Sequence, residues 1–340
     1  MVVVPGWEAI HALGNYDEGD IGITNDPELT RGLSTHLPDI WLWKPIFSNG
    51  EIIAFAFNFI HSSDVGGKVP GSISPTSSEI FQEGLRIPPA KLFRKGELNR
   101  ELLDIILYNC RIPHQNWGDI KAQVTSLNTA ERRIHEVVAR YGHEATVQGI
   151  ADLLDLGEQR ARALIAQIPD GRYVFADYME GDVAGERPIR IKLTLEVRGD
   201  ELLLDFTGTD LQVNAALNLP TWNQKGHYAV SIALLNYFRT VDPDIPYNSG
   251  LVRPINVYIP QGTLLNPDPN MAVGVRAATM LRVVDTLTGC LGQALPSMFP
   301  AASSGAAAII LVSTNDVQTG GRRVSVLQPL LGGSGARPTM

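Results

Sequence analysis

Residues 36–61 run His36-Leu37-Pro38-Asp39, Ile40-Trp41-Leu42-Trp43-Lys44-Pro45-Ile46-Phe47, Ser48-Asn49-Gly50-Glu51, Ile52-Ile53-Ala54-Phe55-Ala56-Phe57-Asn58-Phe59-Ile60 and His61. The two apolar, aromatic runs suit β-strands. Asn49-Gly50 between them tolerates the positive φ of a tight turn, so the stretch reads as a hairpin. Loop length sets its register. A two-residue loop pairs Ser48 with Glu51 and turns His61 away from Asp39. A three-residue loop pairs Ser48 with Ile52, Phe47 with Ile53, Trp43 with Phe57 and Trp41 with Phe59. The second register makes one aromatic face, worth about 0.2–1 kcal/mol per cross-strand pair. It also sets Asp39 opposite His61, and is the expectation adopted. Pro38 excludes a regular helical turn, so a short loop can fold His36 back toward them.

Two imidazoles and a carboxylate are the donor types that hold a divalent ion and leave positions open for substrate. His36, Asp39 and His61 are therefore the candidate metal ligands, with Zn, Mn or Fe as the ion. Asp64, in Asp64-Val65-Gly66-Gly67, is a candidate catalytic carboxylate close by. Asp119 is another: with Gln123 one helical turn away it could reach a substrate amide, although Gly118-Asp119 also reads as a helix N-cap. Glu79, Glu83 and Arg86 could orient the ligands from behind or form a surface ion pair. The other histidines lack ligand spacing, and around His227 capping competes with anion binding.

Composition narrows the function classes. The chain has 340 residues, 44% hydrophobic and 19% charged, with a formal net charge of −8. That is an ordinary globular enzyme composition, long enough for more than one domain. The negative balance argues against a nucleic-acid partner. Cys110 and Cys290 form neither a disulfide framework nor a zinc ribbon. No apolar run spans a bilayer, and Met1-Val2-Val3-Val4-Pro5 lacks a signal-peptide pattern, so a cytoplasmic protein without a membrane partner is expected. Gly332-Gly333-Ser334-Gly335 has no Lys-Ser/Thr and no following helix, so it is not a phosphate loop. There is no Gly-x-Ser-x-Gly elbow.

The expected fold class is α+β: mixed β-sheets with packed helices, and a metal site at the end of an N-terminal β-hairpin. Residues 1–117 read as a strand- and loop-rich metal-site region, 118–170 as a helical region and 171–340 as an α+β domain. Ile120, Val124, Leu127, Ile134 and Val138 recur at helical spacing up to Tyr141, with Gly142 a natural stop. A second helical stretch, Ala145 to Ile168, is expected to break at Leu156-Gly157. It has a helix-turn-helix cadence, but two packed helices covering a sheet are preferred. Strands are expected over Ile189–Val197, Glu201–Phe206, Val252–Ile259, Ala306–Ser313 and Val324–Leu327. Helices are expected over Lys225–Arg239 and Met280–Leu295.

Several motifs occur in one order: Asn25-Asp26-Pro27, Thr35-His36-Leu37-Pro38-Asp39, His61 with Asp64-Val65-Gly66-Gly67, Gln82-Glu83-Gly84-Leu85-Arg86-Ile87-Pro88-Pro89, Gly118-Asp119-Ile120-Lys121-Ala122-Gln123, Asp205-Phe206-Thr207-Gly208-Thr209 and Asp242-Pro243-Asp244-Ile245-Pro246. In these the chain resembles the hydantoinase B/oxoprolinase family along nearly its whole length. The resemblance implies a divalent metal on His36, Asp39 and His61. It implies a hetero-oligomer with a hydantoinase A-type subunit that binds ATP and activates the substrate. Hydrolase members open a cyclic amide (hydantoin, 5-oxoproline or lactam); carboxylase members act on a ketone such as acetone or acetophenone. The chain departs from the pattern at Arg31-Gly32-Leu33-Ser34, in place of a Gly-Gly, and at His61-Ser62, where hydrolase relatives carry paired histidines. It is also short, and reads as a split half, a fragment or a reduced paralogue. The expected function is the metal-containing subunit of an ATP-dependent cyclic-amide hydrolase. The alternatives are a ketone carboxylase subunit and a non-catalytic structural subunit.

Overall fold

The computed structural model describes residues 6–181, 187–305, 307–317 and 320–336. Residues 1–5 and Ala306, which carried two of the expectations above, lie outside them. Along the chain come α1 (Trp7–Ala12), β1 (Ile21–Thr24), β2 (Asp39–Ser48), β3 (Glu51–His61), β4 (Ala90–Arg94), β5 (Glu97–Leu98), α2 (Arg100–Tyr108), α3 (Pro113–Tyr141) and α4 (His143–Ile165). There follow β6 (Gly171–Met179), β7 (Ile189–Arg198), β8 (Glu201–Asp205), α5 (Tyr228–Val241), β9 (Ile255–Tyr258), α6 (Arg276–Ala294), β10 (Ala307–Asn315) and β11 (Arg322–Leu331). The fold is α+β, with several sheets and helices packed on them.

A five-stranded antiparallel sheet has the order β3-β2-β1-β4-β5. Its core combines Ile21, Ile23, Ile40, Leu42 and Ile46 with Leu103 and Ile106 of α2 and Ile120 and Leu127 of α3. Gly22 is the close-approach point: a Cβ there would collide with the Trp43 indole. The second core lies against a four-stranded sheet, β6-β7-β8-β9, in which only the β8–β9 pair is parallel. Ile191, Leu193 and Leu195 alternate inward on β7 and meet Phe238 of α5, Leu287 and Leu291 of α6, and Leu164 and Ile165 of α4. The strands β10 and β11 form a separate hairpin.

The N-terminal hairpin uses both loop lengths weighed above. The turn is the two-residue one, with Asn49 at φ 54° and Gly50 at φ 81°, and Ser48 pairs with Glu51. A register shift then falls between Ile46 and Phe47, so Phe47 faces Ile52 and not Ile53 as expected. Beyond this bulge the strands take the aromatic register: Trp43 opposite Phe57, Trp41 opposite Phe59, Asp39 opposite His61. One extra residue on one strand reconciles a tight turn with a matched ladder. Trp41 stacks on Phe59 with ring centroids 4.5 Å apart.

Helices α1 and α2 lie in the region expected to be strand- and loop-rich, and the later helices differ from expectation at several points. The helix α3 starts at Pro113, so Asp119 lies inside it and is not its cap; a proline in the first turn loses no hydrogen bond there. The helix α4 runs unbroken through Gly157, replacing the expected helix pair and with it the helix-turn-helix cadence. Gly157 is a contact point, where a Cβ would collide with the Asn248 side chain. The helix α6 begins at Arg276, four residues before Met280, and β9 covers only Ile255–Tyr258 because Ser249–Val252 is a 3₁₀ turn.

Candidate metal centre

The loop that carries His36 is held by backbone and side-chain hydrogen bonds. Asn25 donates to the Leu37 carbonyl at 2.8 Å, Ser34 Oγ donates to the His36 carbonyl at 2.9 Å, and the Ser62 N–H reaches the Pro38 carbonyl at 2.7 Å. The last of these ties the start of β2 to the end of β3, where Asp39 and His61 face each other. His36 folds onto the same end, its ring centroid 4.9 Å from that of His61. One ligand atom from each of His36, Asp39 and His61 lies within 4.8 Å of the others.

His36 Nε2 is 3.1 Å from Asp39 Oδ1, a contact that helps hold the carboxyl down, but it lacks the alignment of a full hydrogen bond and leaves Nε2 unsatisfied. His61 Nε2 is likewise buried and unpartnered. Buried polar atoms are rarely left unmade, because each orphan costs roughly 1–3 kcal/mol. Two imidazoles and a carboxylate with one donor atom each inside 4.8 Å of the others are the donor set a divalent ion can draw together, since donors about 2.0–2.2 Å from a tetrahedral ion lie roughly 3.3–3.6 Å from one another.

The charge states suit that use. Burial lowers the His36 pKa to about 3, with Arg276 adding to the effect, and burial lowers that of His61. Both rings are neutral. Burial pushes the Asp39 carboxyl upward, but His36 and Arg276 outweigh it and hold it below the usual carboxylate range. The trio presents one negative charge to a cation.

Arg276, the first residue of α6, was not legible as a site residue. Its Nη2 is 3.1 Å from Asp39 Oδ2, its Nη1 3.0 Å from His36 Nδ1, and its Nε donates to Thr35 Oγ1 at 2.8 Å. One signal was available: a cation in the first turn of a helix opposes the helix dipole and needs a local anion. The loop before it is anchored by Glu83, whose Oε1 accepts the N–H groups of Val273 (2.9 Å) and Gly274 (2.7 Å). Glu83 Oε2 is buried without a partner, and burial raises the carboxyl pKa to about 8. His227 is fully buried nearby. Its Nδ1 accepts the Ala229 N–H, which leaves the proton on an unpartnered Nε2; burial first, then Arg276, lowers its pKa to about 3.

The remaining candidates occupy different positions. Asp64 is buried and fully engaged: Oδ1 accepts the Gly66 and Arg111 N–H groups, and Oδ2 accepts Gly71 N–H and Arg111 Nη1. That geometry organises the 64–71 turn. Asp119 is half-buried, and burial raises its pKa. It shares a helix face with Asn116, which donates to the Asp64 carbonyl, and with Gln123, which donates to the Ile40 carbonyl. Both contacts fall at the hairpin end that carries the ligands. Arg86 pairs with Asp26 and Glu28, away from the trio. Ser62 donates to Asn116 Oδ1 at 3.1 Å, so no second imidazole follows His61.

Fold and ligand group together define an α+β protein with a candidate divalent-ion centre at the open end of a hairpin. The chain belongs to the Hydantoinase B/oxoprolinase family, whose profile matches residues 6–340. It is 37% identical over 322 residues to an uncharacterised protein of Methanocaldococcus jannaschii, covering 94% of this chain and 54% of that one. It is 31% identical over 326 residues to the caprolactamase subunit beta of Pseudomonas jessenii, covering 95% of this chain and 55% of that one. The crystal structure of the ATP-dependent caprolactamase from Pseudomonas jessenii superposes with a TM-score of 0.84 at 29% identity, over 94% of this chain and 54% of that one. The chain thus spans about half the length of these relatives. Among the described residues no helix is long and apolar enough to cross a membrane.

Proposed function

We propose that this chain is the ion-holding part of an ATP-dependent hydrolase of cyclic amides, acting with a hydantoinase A-type subunit that binds ATP. The observation that carries the reading is that one donor atom from each of His36, Asp39 and His61 lies within 4.8 Å of the others, while Nε2 of both rings is buried without a hydrogen-bond partner. Two imidazoles and one carboxylate suit Zn²⁺, Mn²⁺ or Fe²⁺ better than the all-oxygen ions. A bound ion would polarise a carbonyl, or lower the pKa of water toward about 7 in the case of zinc.

The chain's own residues then divide the work. His36 and His61 are neutral imidazoles, and Asp39 supplies the negative charge. Asp119 is the proton acceptor of this reading, on the helix face that meets the hairpin end. Asp64 keeps the adjacent turn in shape. The chain carries no phosphate-loop motif, which is why ATP is assigned to the partner.

A ketone carboxylase subunit is the second reading. It is favoured by Ser62 at the position of a second histidine, and by 25% identity over 335 residues to the acetophenone carboxylase delta subunit of Aromatoleum aromaticum. A non-catalytic structural subunit is the third. The chain co-purified with an A-type partner should hydrolyse hydantoin, 5-oxoproline or a lactam only with ATP and a divalent ion. Turnover of acetone or acetophenone with bicarbonate instead would select the second reading, and no turnover of either class the third.

A further inference from the structure

We propose that Arg276 is a displaceable counter-charge: guanidinium and divalent ion compete for His36 and Asp39, and loading the ion drives Arg276 off His36 Nδ1. The proposal rests on the ion-binding reading above.

The contact itself carries the inference. Arg276 Nη1 lies 3.0 Å from His36 Nδ1. A guanidinium only donates, so Nδ1 is the acceptor and the neutral ring keeps its one proton on Nε2. Nε2 is the atom that meets Asp39 Oδ1 at 3.1 Å, and the His61 ring lies with its centroid 4.9 Å from that of His36. An ion on Nε2 moves that proton to Nδ1, with none gained or lost. Nδ1–H then meets Nη1–H, donor against donor, and the contact opens. Histidine ligands ordinarily give their second N–H to a carboxylate, a carbonyl or water, the polarity opposite to the one here. Charge acts in the same direction. Asp39 is neutralised by Arg276 at 3.1 Å; a dication takes over that role and repels the guanidinium. Arg276 Nε keeps Thr35 Oγ1 at 2.8 Å as a pivot, and that hydroxyl also contacts the Tyr228 hydroxyl at 3.1 Å. Arg276 is therefore a positioning residue that acts through the two ligands.

The test is a competition titration of Zn²⁺ and Mn²⁺ against a chromophoric chelator, on the full chain and its Arg276→Gln and Arg276→Lys variants. The proposal expects Arg276→Gln to bind at least about tenfold more tightly than the parent, because a positive charge beside the ion is gone. Arg276→Lys keeps a charge but cannot span Thr35, His36 and Asp39, and should tighten binding by about threefold. Should Arg276→Gln fail to fold, the lysine variant decides alone. Parent binding with variants equal or weaker overturns the proposal and leaves the ion site standing. Binding by the variants alone supports the competition and corrects the reading of the parent. No binding by any of the three overturns both. As a second readout, the rise in melting temperature on adding Zn²⁺ should be larger for Arg276→Gln than for the parent.

Discussion

The two cores of this molecule differ in what surrounds their most buried side chains. Against the four-stranded sheet, Leu193, Leu195, Leu204 and Phe206 are shut in with other apolar side chains. At the open end of the five-stranded sheet, His36, Asp39, Asp64 and Glu83 are equally buried, and His36 Nε2, His61 Nε2 and Glu83 Oε2 have no hydrogen-bond partner. The first arrangement holds the chain folded. The second spends stability on a constellation that folding alone does not need, and its cationic member, Arg276, arrives on a helix of the other core. The site therefore lies at the seam, where the ligands come from one sheet system and the counter-charge from the other.

The largest effect should separate the two regions cleanly. Phe206→Ala, in the apolar core, should cost about 3–5 kcal/mol in denaturant unfolding and leave the ion affinity of the folded protein unchanged. A change in affinity as large as the loss of stability would mean that the regions are not separate.

Glu83 tests the cost of buried polarity at the seam. Its pKa is raised from 4.5 to about 8, so its contribution to stability is fully present below pH 4.5 and is lost as pH rises through about 8. Each pH unit in that window is worth about 1.4 kcal/mol at most. Glu83→Gln keeps an acceptor for Val273 and Gly274 and carries no ionisable group. It should be more stable than the parent at pH 8 by a few kcal/mol, and differ little at pH 4. Equal pH profiles for the two proteins would refute a buried, ionisation-resisting carboxyl.

The ligand pair comes next. His36→Ala with His61→Ala should cost less stability in the ion-free protein than Phe206→Ala, since it removes two orphaned nitrogens along with packing. A loss above that of Phe206→Ala would make these rings structural. The smallest effect is expected at Gly157. In an open helix position Gly→Ala gains about 1 kcal/mol. Here the new Cβ meets Asn248, so Gly157→Ala should instead destabilise by about 1–3 kcal/mol. A stabilised variant would mean that the approach of Asn248 does not constrain this position.

What could be read from the chain beforehand follows the range of the interactions. Asp39 opposite His61 was legible because the aromatic residues of both arms match in only one register. The bulge beside Ile53 was not, since a single inserted residue leaves no signature of its own and both loop lengths fitted the turn residues. The start of α3 was misplaced because Gly118-Asp119 looks like a helix entry, while Pro113 gives the true start. Arg276 was illegible for a different reason: it stands 240 residues from His36, and only tertiary folding brings a first-turn cation to a buried aspartate.

Elemental analysis of the purified chain, parent and His36→Ala/His61→Ala variant side by side, bears most directly on the central claim. The account predicts close to one Zn, Mn or Fe per parent chain after reconstitution, and none in a variant whose circular dichroism shows it folded. A parent that stays free of ion under the same reconstitution, or a variant that keeps it, would contradict the claim that these three side chains share one cation.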